Sequence, residues 1–401
     1  MRISWLRKFR RDEDGFSLVF VGLGFMGFLS ATMLAIDVGM LMTARSQAQN
    51  AADAGALAGA TSLAFDDWDD RSATGPAVLN AIAAAEANKV ISGTVSVLPA
   101  DIEFPNDPSG QPNRVKVTVY RSGPRGNAVP TLIAKYFGIS TANISATATA
   151  EASPANAMTC VKPFTIPDKW IEKNPVVKPF EPSDNFLRWK KQGGNVLLTN
   201  PADVYEPAYV DNTPPTRNAS YSGYNMEANR GVKLVLRAGT GNNIQPSFYF
   251  SLSMTDDMGG QDYRWNIANC NHSIYHWGDP LVQEPGAMEG PTVQGILELI
   301  AKDPGAVWDD GIRGVKNSAF GEGRQSPRIF PIPLFDPDYY NANKENGRNA
   351  TLRVANWIGF FVEYVGSGNE IHGRIIPIGG IRDKTWSGGT ADMPKAIRLV
   401  Q

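Results

Sequence analysis

From residue 15 to residue 36 the chain runs for 22 residues without a charge, rich in Phe, Leu, Val and Met. A helix needs only about 20 apolar residues to cross a hydrocarbon layer roughly 30 Å thick, so this stretch predicts a transmembrane span. If the single acid Asp37 is tolerated, the run extends to Ala44, and the span is taken as 15–44. Arg2, Arg7, Lys8, Arg10 and Arg11 precede it in the leader 1–14. Basic flanks stay on the cytoplasmic side, which predicts a single-pass protein with a cytoplasmic N-terminus and its bulk across the membrane. A removed signal peptide would have a shorter apolar core and a nearby A-x-A cleavage site. Here Ala52-Asp53-Ala54 follows ten residues beyond Met42, so a retained anchor is expected. Asp37 falls near the outer interface, where water or a neighbouring helix would solvate its charge, and no chemistry is expected of it.

Helical character continues past Arg45, because 46–65 is rich in Ala, the strongest helix former, and contains no Pro. One helix over 16–65 would be about 75 Å long. Ala48, Ala52, Ala56 and Ala60 recur every fourth residue, with Gly55 and Gly59 one position earlier. Such a face admits another backbone at short range. Periodicity leaves two occupants open: the protein's own next domain, or a second subunit in a homo-oligomer built through this helix.

Three strings together resemble a known pattern. They are Arg10-Arg11-Asp12-Glu13-Asp14-Gly15, Ala35-Ile36-Asp37-Val38-Gly39, and the polar-to-small run from Ala44-Arg45-Ser46-Gln47 through Asn50-Ala51-Ala52-Asp53-Ala54-Gly55 to Ala58. The N-terminus resembles that of TadG-like proteins of the Flp-type (tight adherence, Tad) pilus-assembly machinery. The resemblance implies an anchor of the TadE/TadG type in a bacterial inner membrane, a periplasmic body, and other pilus-assembly or secretion proteins as partners. Cys160-Val161-Lys162-Pro163-Phe164, Ile166-Pro167-Asp168, Ser326-Pro327-Arg328 and 331–336 are also similar to sequences that follow such an anchor. Two departures bear on function. A prepilin-type cut at Gly15-Phe16 would place Phe20 where the family's pilins carry Glu, so processing into a pilin is not expected. Asp107-Pro108-Ser109-Gly110-Gln111 departs from the metal-holding Asp-x-Ser-x-Ser loop of the von Willebrand A domains that some TadG-like proteins contain.

With 401 residues, the chain is too long for one ordinary core. The 38 basic residues nearly match the 40 acidic ones, which gives no electrostatic footprint for nucleic acid. Seven prolines precede residue 150 and 21 follow it, and seven of nine Trp lie beyond it, so a boundary is expected there. The first periplasmic part, 45–152, reads as the projecting helix plus a small α+β unit of pilin-like type. It should hold a helix over 77–90, a strand over 101–104, a turn, an alternating strand over 115–120, a helical stretch over 132–137 and a strand over 144–151. The remainder, 153–401, reads as β-rich, with strands near 196–198, 231–237, 247–254, 328–332, 358–365 and 372–378. One helix over 292–302 should bury Val293, Ile296, Leu297 and Ile300. Tracts 201–229 and 336–350 read as ordered surface loops or edges that could touch partners. The fold class is α+β.

Cys160 and Cys270 are the only cysteines, and an isolated pair outside the cytoplasm is expected to form a disulfide. Cys270, His272 and His276 form a Cys-x-His-x-x-x-His run of zinc-type ligands, which would require Cys270 to be free. A periplasmic metallohydrolase is therefore the main alternative, and a surface adhesin or sugar-binding module, suggested by the aromatic content, is another. Against catalysis, no G-x-S-x-G elbow and no phosphate loop occur. Gly239-Thr240-Gly241, Gly379-Gly380, Asp256-Asp257 and Asp309-Asp310 read as turns. The sequence thus predicts a structural component, not an enzyme, with no cofactor.

Overall fold

The computed structural model describes residues 14–400 except 109, 194, 211–215, 240–243, 255–258, 322, 324 and 343–351. Residues 1–13 of the basic leader, Ser109, Thr240-Gly241, Asp256-Asp257 and, of the two tracts 201–229 and 336–350, residues 211–215 and 343–350 lie outside the described residues. The chain divides into two compact units. The first runs to Ala152 and takes in the chain again from Ile397; the second is Ser153–Ala396. The second unit is therefore inserted between two strands of the first, and the expected range 153–401 is corrected at its end.

The first unit is built on one uninterrupted helix, α1 (Asp14–Phe65). Its polar run holds neighbouring structure: Gln47 Oε1 accepts the Ile91 N–H at 2.8 Å, and Gln49 Nε2 donates to the Thr147 carbonyl at 3.2 Å. Helix α2 (Pro76–Glu86) starts with proline in its first turn, where the missing donor costs nothing. It ends four residues before the expected 90. Lys89 and Val90 instead pair with Gly93 and Thr94 in a hairpin whose turn residues, Ile91 and Ser92, both have positive φ. Val90 is fully buried there, so tertiary packing overrides helix propensity. Likewise only Ala134–Phe137 of the expected 132–137 is helical, as a single 3₁₀ turn.

Strands β1 (Ile102–Glu103), β2 (Arg114–Arg121) and β3 (Ile144–Pro154) form an antiparallel sheet completed by the C-terminal strand, Lys395–Val400, on the outer side of β3. Val115, Val117 and Val119 of β2 pair with Ala150, Ala148 and Ala146 of β3, so the inner face alternates one medium and one small side chain. That thin face meets the small-residue stripe of α1, and all of these residues join one core cluster with Ala77, Val78, Ala81 and Ala85 of α2.

The second unit contains β4 (Phe164–Pro167), β5 (Lys233–Ala238), β6 (Phe248–Ser251), α3 (Gly260–Ala268), β7 (Pro280–Leu281), α4 (Glu289–Lys302), β8 (Ile329–Phe335), β9 (Leu352–Val365) and β10 (Ile371–Ile376). The strand order is β7-β9-β8-β4-β6-β5-β10, and β10 pairs back onto β9. Six strands thus close into a barrel, with β7 extending β9 outside the ring. Two of the ring's contacts, β8 with β4 and β5 with β6, are parallel; the others are antiparallel. All six strands contribute to one apolar cluster, as the inward face of a closed barrel must: Phe164, Leu236, Tyr249, Phe330, Phe360 and Ile371 are among its members. Residues of α3 and α4 join it. The buried face of α4 is Thr292, Gly295, Ile296 and Leu299, while Leu297 is half exposed, so the expected face is rotated. The cause is the contact with α3, where a side chain at Gly295 would strike Ile267 at 2.7 Å. Helix α3 itself has no counterpart in the sequence reading.

Candidate functional site

Two halves of α1 have opposite surroundings. From Leu18 to Ile36 its described apolar side chains, Leu18, Phe20, Phe28 and Leu34 among them, are bare, with Leu18 76% and Phe28 69% exposed; from Ala44 onward a buried face begins. The apolar half makes this a helix long and apolar enough to cross a membrane. On the other half, Ala48, Ala52, Ala56 and Ala60 are buried. A Cβ on Gly59 would stand 2.8 Å from Val115 Cγ1 and 3.2 Å from the Ala77 carbonyl oxygen; one on Gly55 would stand 3.0 Å from the Ala81 carbonyl oxygen. Of the two possible occupants of this face, the structure shows the protein's own α2 and β2.

Asp37 sits where the bare half ends and is met by a loop of the protein, in place of the water or neighbouring helix expected around it. It is buried, and its carboxylate accepts three backbone N–H groups of the 131–139 loop: Leu132 to Oδ1 at 2.8 Å, Ile133 to Oδ2 at 3.0 Å and Ala134 to Oδ2 at 2.5 Å. These are the donors that the turn at Ala134 leaves unpaired, so Asp37 caps that turn from a distant part of the chain. Sequence reasoning had no means to find this partner, because nearly a hundred residues separate the two.

In the second unit the structure joins Cys160 to Cys270 in a disulfide. The sulfur that the zinc arrangement required is thereby consumed. His272 Nδ1 lies 3.7 Å from Cys270 Sγ, whereas His276 turns elsewhere: its Nε2 lies 3.0 Å from Asp383 Oδ2 and its ring stacks on Trp386. The three expected ligands do not converge, and among the described residues no group of three or more His, Cys, Asp or Glu is placed to hold a metal ion. The hydroxyl of Thr385, followed by His276, holds the Asp383 carboxyl down to about 2.

The strings that follow the anchor in the sequence build the barrel's polar joints. Lys162, beside the disulfide, donates to the Asn269 carbonyl at 2.7 Å, and Lys302 donates to that of Ala268, so two cations meet the C-terminus of α3. Burial, then the charge of Lys302, pushes Lys162 down to about 7. Asp168, fully buried after β4, is the centre of a network. It accepts the hydroxyls of Tyr221 at 2.7 Å and Tyr205 at 3.0 Å and the N–H groups of Lys169 and Tyr224. Asn356 of β9 donates to the Tyr221 hydroxyl at 2.6 Å. Burial raises the Asp168 carboxyl to about 6 against these hydrogen bonds. Within the tract 201–229, expected as ordered surface loops or edges, Tyr205 and Tyr221 are fastened to the barrel through Asp168. Arg328 donates to the carbonyls of Asp303, Ala306, Val362 and Glu363, and Ser326 to the Asp303 carboxylate, which explains why Ser-Pro-Arg stands there. Glu172, Asp184 and Asp203 also gather, but each accepts protein donors: the Trp170 indole, the Lys178 amine, and the N–H groups of Lys173, Asn174 and Leu187 respectively. Burial, with the Asp203 and Asp184 charges behind it, raises Glu172 to about 7.

Asp168, Arg328, Lys162 and Glu172 of the second unit are thus engaged by partners within the chain, and the comparison with known families bears on α1. Residues 15–62 match the family model described as "Putative Flp pilus-assembly TadE/G-like". The N-terminal segment is TadE/G-like. The match covers almost all of α1, both the bare half and the packed half, together with Asp37 and the polar run holding Gln47 and Gln49. No curated protein and no solved structure matches the chain. That description ties residues 15–62 to Flp pilus assembly.

Proposed function

We propose that this protein is a single-pass, inner-membrane-anchored component of a Flp-type pilus or related secretion apparatus, with the part of the first unit beyond residue 44 and the whole second unit in the periplasm, acting through contacts with other assembly proteins. The observation that carries this reading is the coincidence of the TadE/G-like match with one continuous helix, half bare and apolar, half packed into a folded unit. The bare half has the length a bilayer requires, and the packed half transmits position rigidly from the anchor to the small α+β unit. The disulfide supports an oxidising location for the second unit. The cation-rich leader supports a cytoplasmic N-terminus.

The experiment is a pair of C-terminal fusions in a bacterium with a complete Flp system. Alkaline phosphatase, which needs the periplasm, should be active, and a cytosol-dependent fluorescent protein dark. Deletion of the gene should abolish Flp pili while leaving pilin synthesis intact. A bright cytosolic reporter, or unaltered piliation, rejects the proposal.

A further inference from the structure

Around the Asp37 tether, the 131–139 loop turns its apolar side chains away from the protein. Leu132, Tyr136, Phe137 and Ile139 are all exposed, Tyr136 to 78% and Phe137 to 70%. Four large apolar groups on one short loop make a patch of the kind that marks an interaction surface. The loop is shaped by its backbone, not by burial of these groups: Asp37 receives its N–H groups, and the Thr131 hydroxyl and N–H close its two ends on Ile139 and Ser140. Lys135 lies beside the patch with its amine 5.2 Å from the Tyr136 ring centre. On α1, the residues flanking Asp37 are equally bare: Leu34, Ile36 and Val38 are exposed, as is Met42, and burial sets in at Ala44. The apolar surface of the loop therefore continues that of the helix at the level where a span starting near residue 15 would leave the hydrocarbon.

We propose that the 131–139 loop is an interfacial foot: it enters the boundary between acyl chains and headgroups beside α1, with Asp37 as the positioning residue that holds it there. The inference rests on the anchor reading given above. A lipid surface fits the chemistry on the page. Tyr and Lys are side chains with an apolar body and a polar tip, suited to that boundary, and Lys135 can reach phosphate while its stem lies along apolar surface. The three N–H groups also account for an acid at this depth, since an unsatisfied carboxylate there would be costly. A foot beside the helix fixes tilt and rotation, which one smooth helix leaves free.

The protein has no free cysteine, so one introduced thiol can be labelled selectively. The full chain carrying Phe137→Cys or Phe28→Cys is labelled with a polarity-sensitive fluorophore and reconstituted in vesicles of phosphatidylethanolamine and phosphatidylglycerol. The Phe137 label should emit blue-shifted and be quenched by lipids with a nitroxide near the headgroup, and the Phe28 label by lipids with the nitroxide deep in the chain. Asp37→Ala should return the Phe137 label to water-like emission without moving the Phe28 label. If Phe28 lies in lipid but Phe137 reports water, the foot is rejected and the anchor stands. A Phe28 label in water rejects both. A Phe137 label shielded from lipid quenchers and from aqueous iodide alike shows a protein covering the patch, and also overturns the proposal.

Discussion

The two units solve the problem of burial in opposite ways. The first has a core of Ala and Val, in which a helix lies against a sheet at short range because neither side presents bulk. The second encloses Phe and Tyr within a barrel, packs Trp170, Trp277 and Trp357 in a further cluster, and adds buried polar joints at Asp168 and Arg328 together with a half-buried disulfide. A small-residue core depends on shape and fails when anything is added; an aromatic core with polar joints fails when something is removed. The comparison assigns a different point of weakness to each unit.

The largest expected effect is on the second unit. Cys160 and Cys270 are 110 residues apart in sequence. Closing a loop of that size contributes up to about 4–5 kcal/mol in the chain-entropy model, so reduction should lower the second unit's melting transition and leave the first unit's in place. Calorimetry of the full protein with and without reductant checks this, and a shift of both transitions would break the contrast. Next is Asp168→Ala, which strands two tyrosine hydroxyls and two N–H groups and should cost about 3 kcal/mol in the second unit by denaturant unfolding. The same carboxyl predicts a pH dependence. Its folded value, about 6, is above its ordinary 3.8, so its stability contribution is full below 3.8 and is lost as pH rises through about 6. Asp168→Asn should flatten that slope.

For the first unit the damaging change is an addition. Gly59→Val places branched bulk against Val115 and Ala77 and should cost about 2 kcal/mol there, with no effect on the second unit. Smallest is Arg398→Ala. Arg398 Nη2 reaches Glu151 Oε1 at 3.1 Å and shares that carboxylate with Arg114, but it is partly exposed, so a loss under about 1 kcal/mol is expected, read as earlier fraying of the C-terminal strand by hydrogen exchange.

The same contrast explains what was legible beforehand. The helix α1, the alternation of Val115, Val117 and Val119, and the Ala/Gly stripe are periodic signals carried by neighbours in sequence, and they read directly. The stripe's occupant did not, because periodicity marks a face and not what covers it. In the second unit, segments near β5, β6, β8, β9 and β10 could be recognised one at a time, but closure of the barrel depends on pairings between distant residues that leave no local pattern. Asp37 shows this at its sharpest: its role is set by Leu132, Ile133 and Ala134, and nothing within its own turn of helix announces them. His272 and His276 mislead for the converse reason, since their ligand-like spacing is undone by a bridge to Cys160 far upstream.

One result of the threading order concerns biogenesis. The sheet that packs on α1 gains its outermost member only after the whole of Ser153–Ala396 has emerged. Until that moment β3 offers a raw rim of free carbonyls and amides, the situation in which strands pair with strangers. The part nearest the anchor, although made first, is thus finished last.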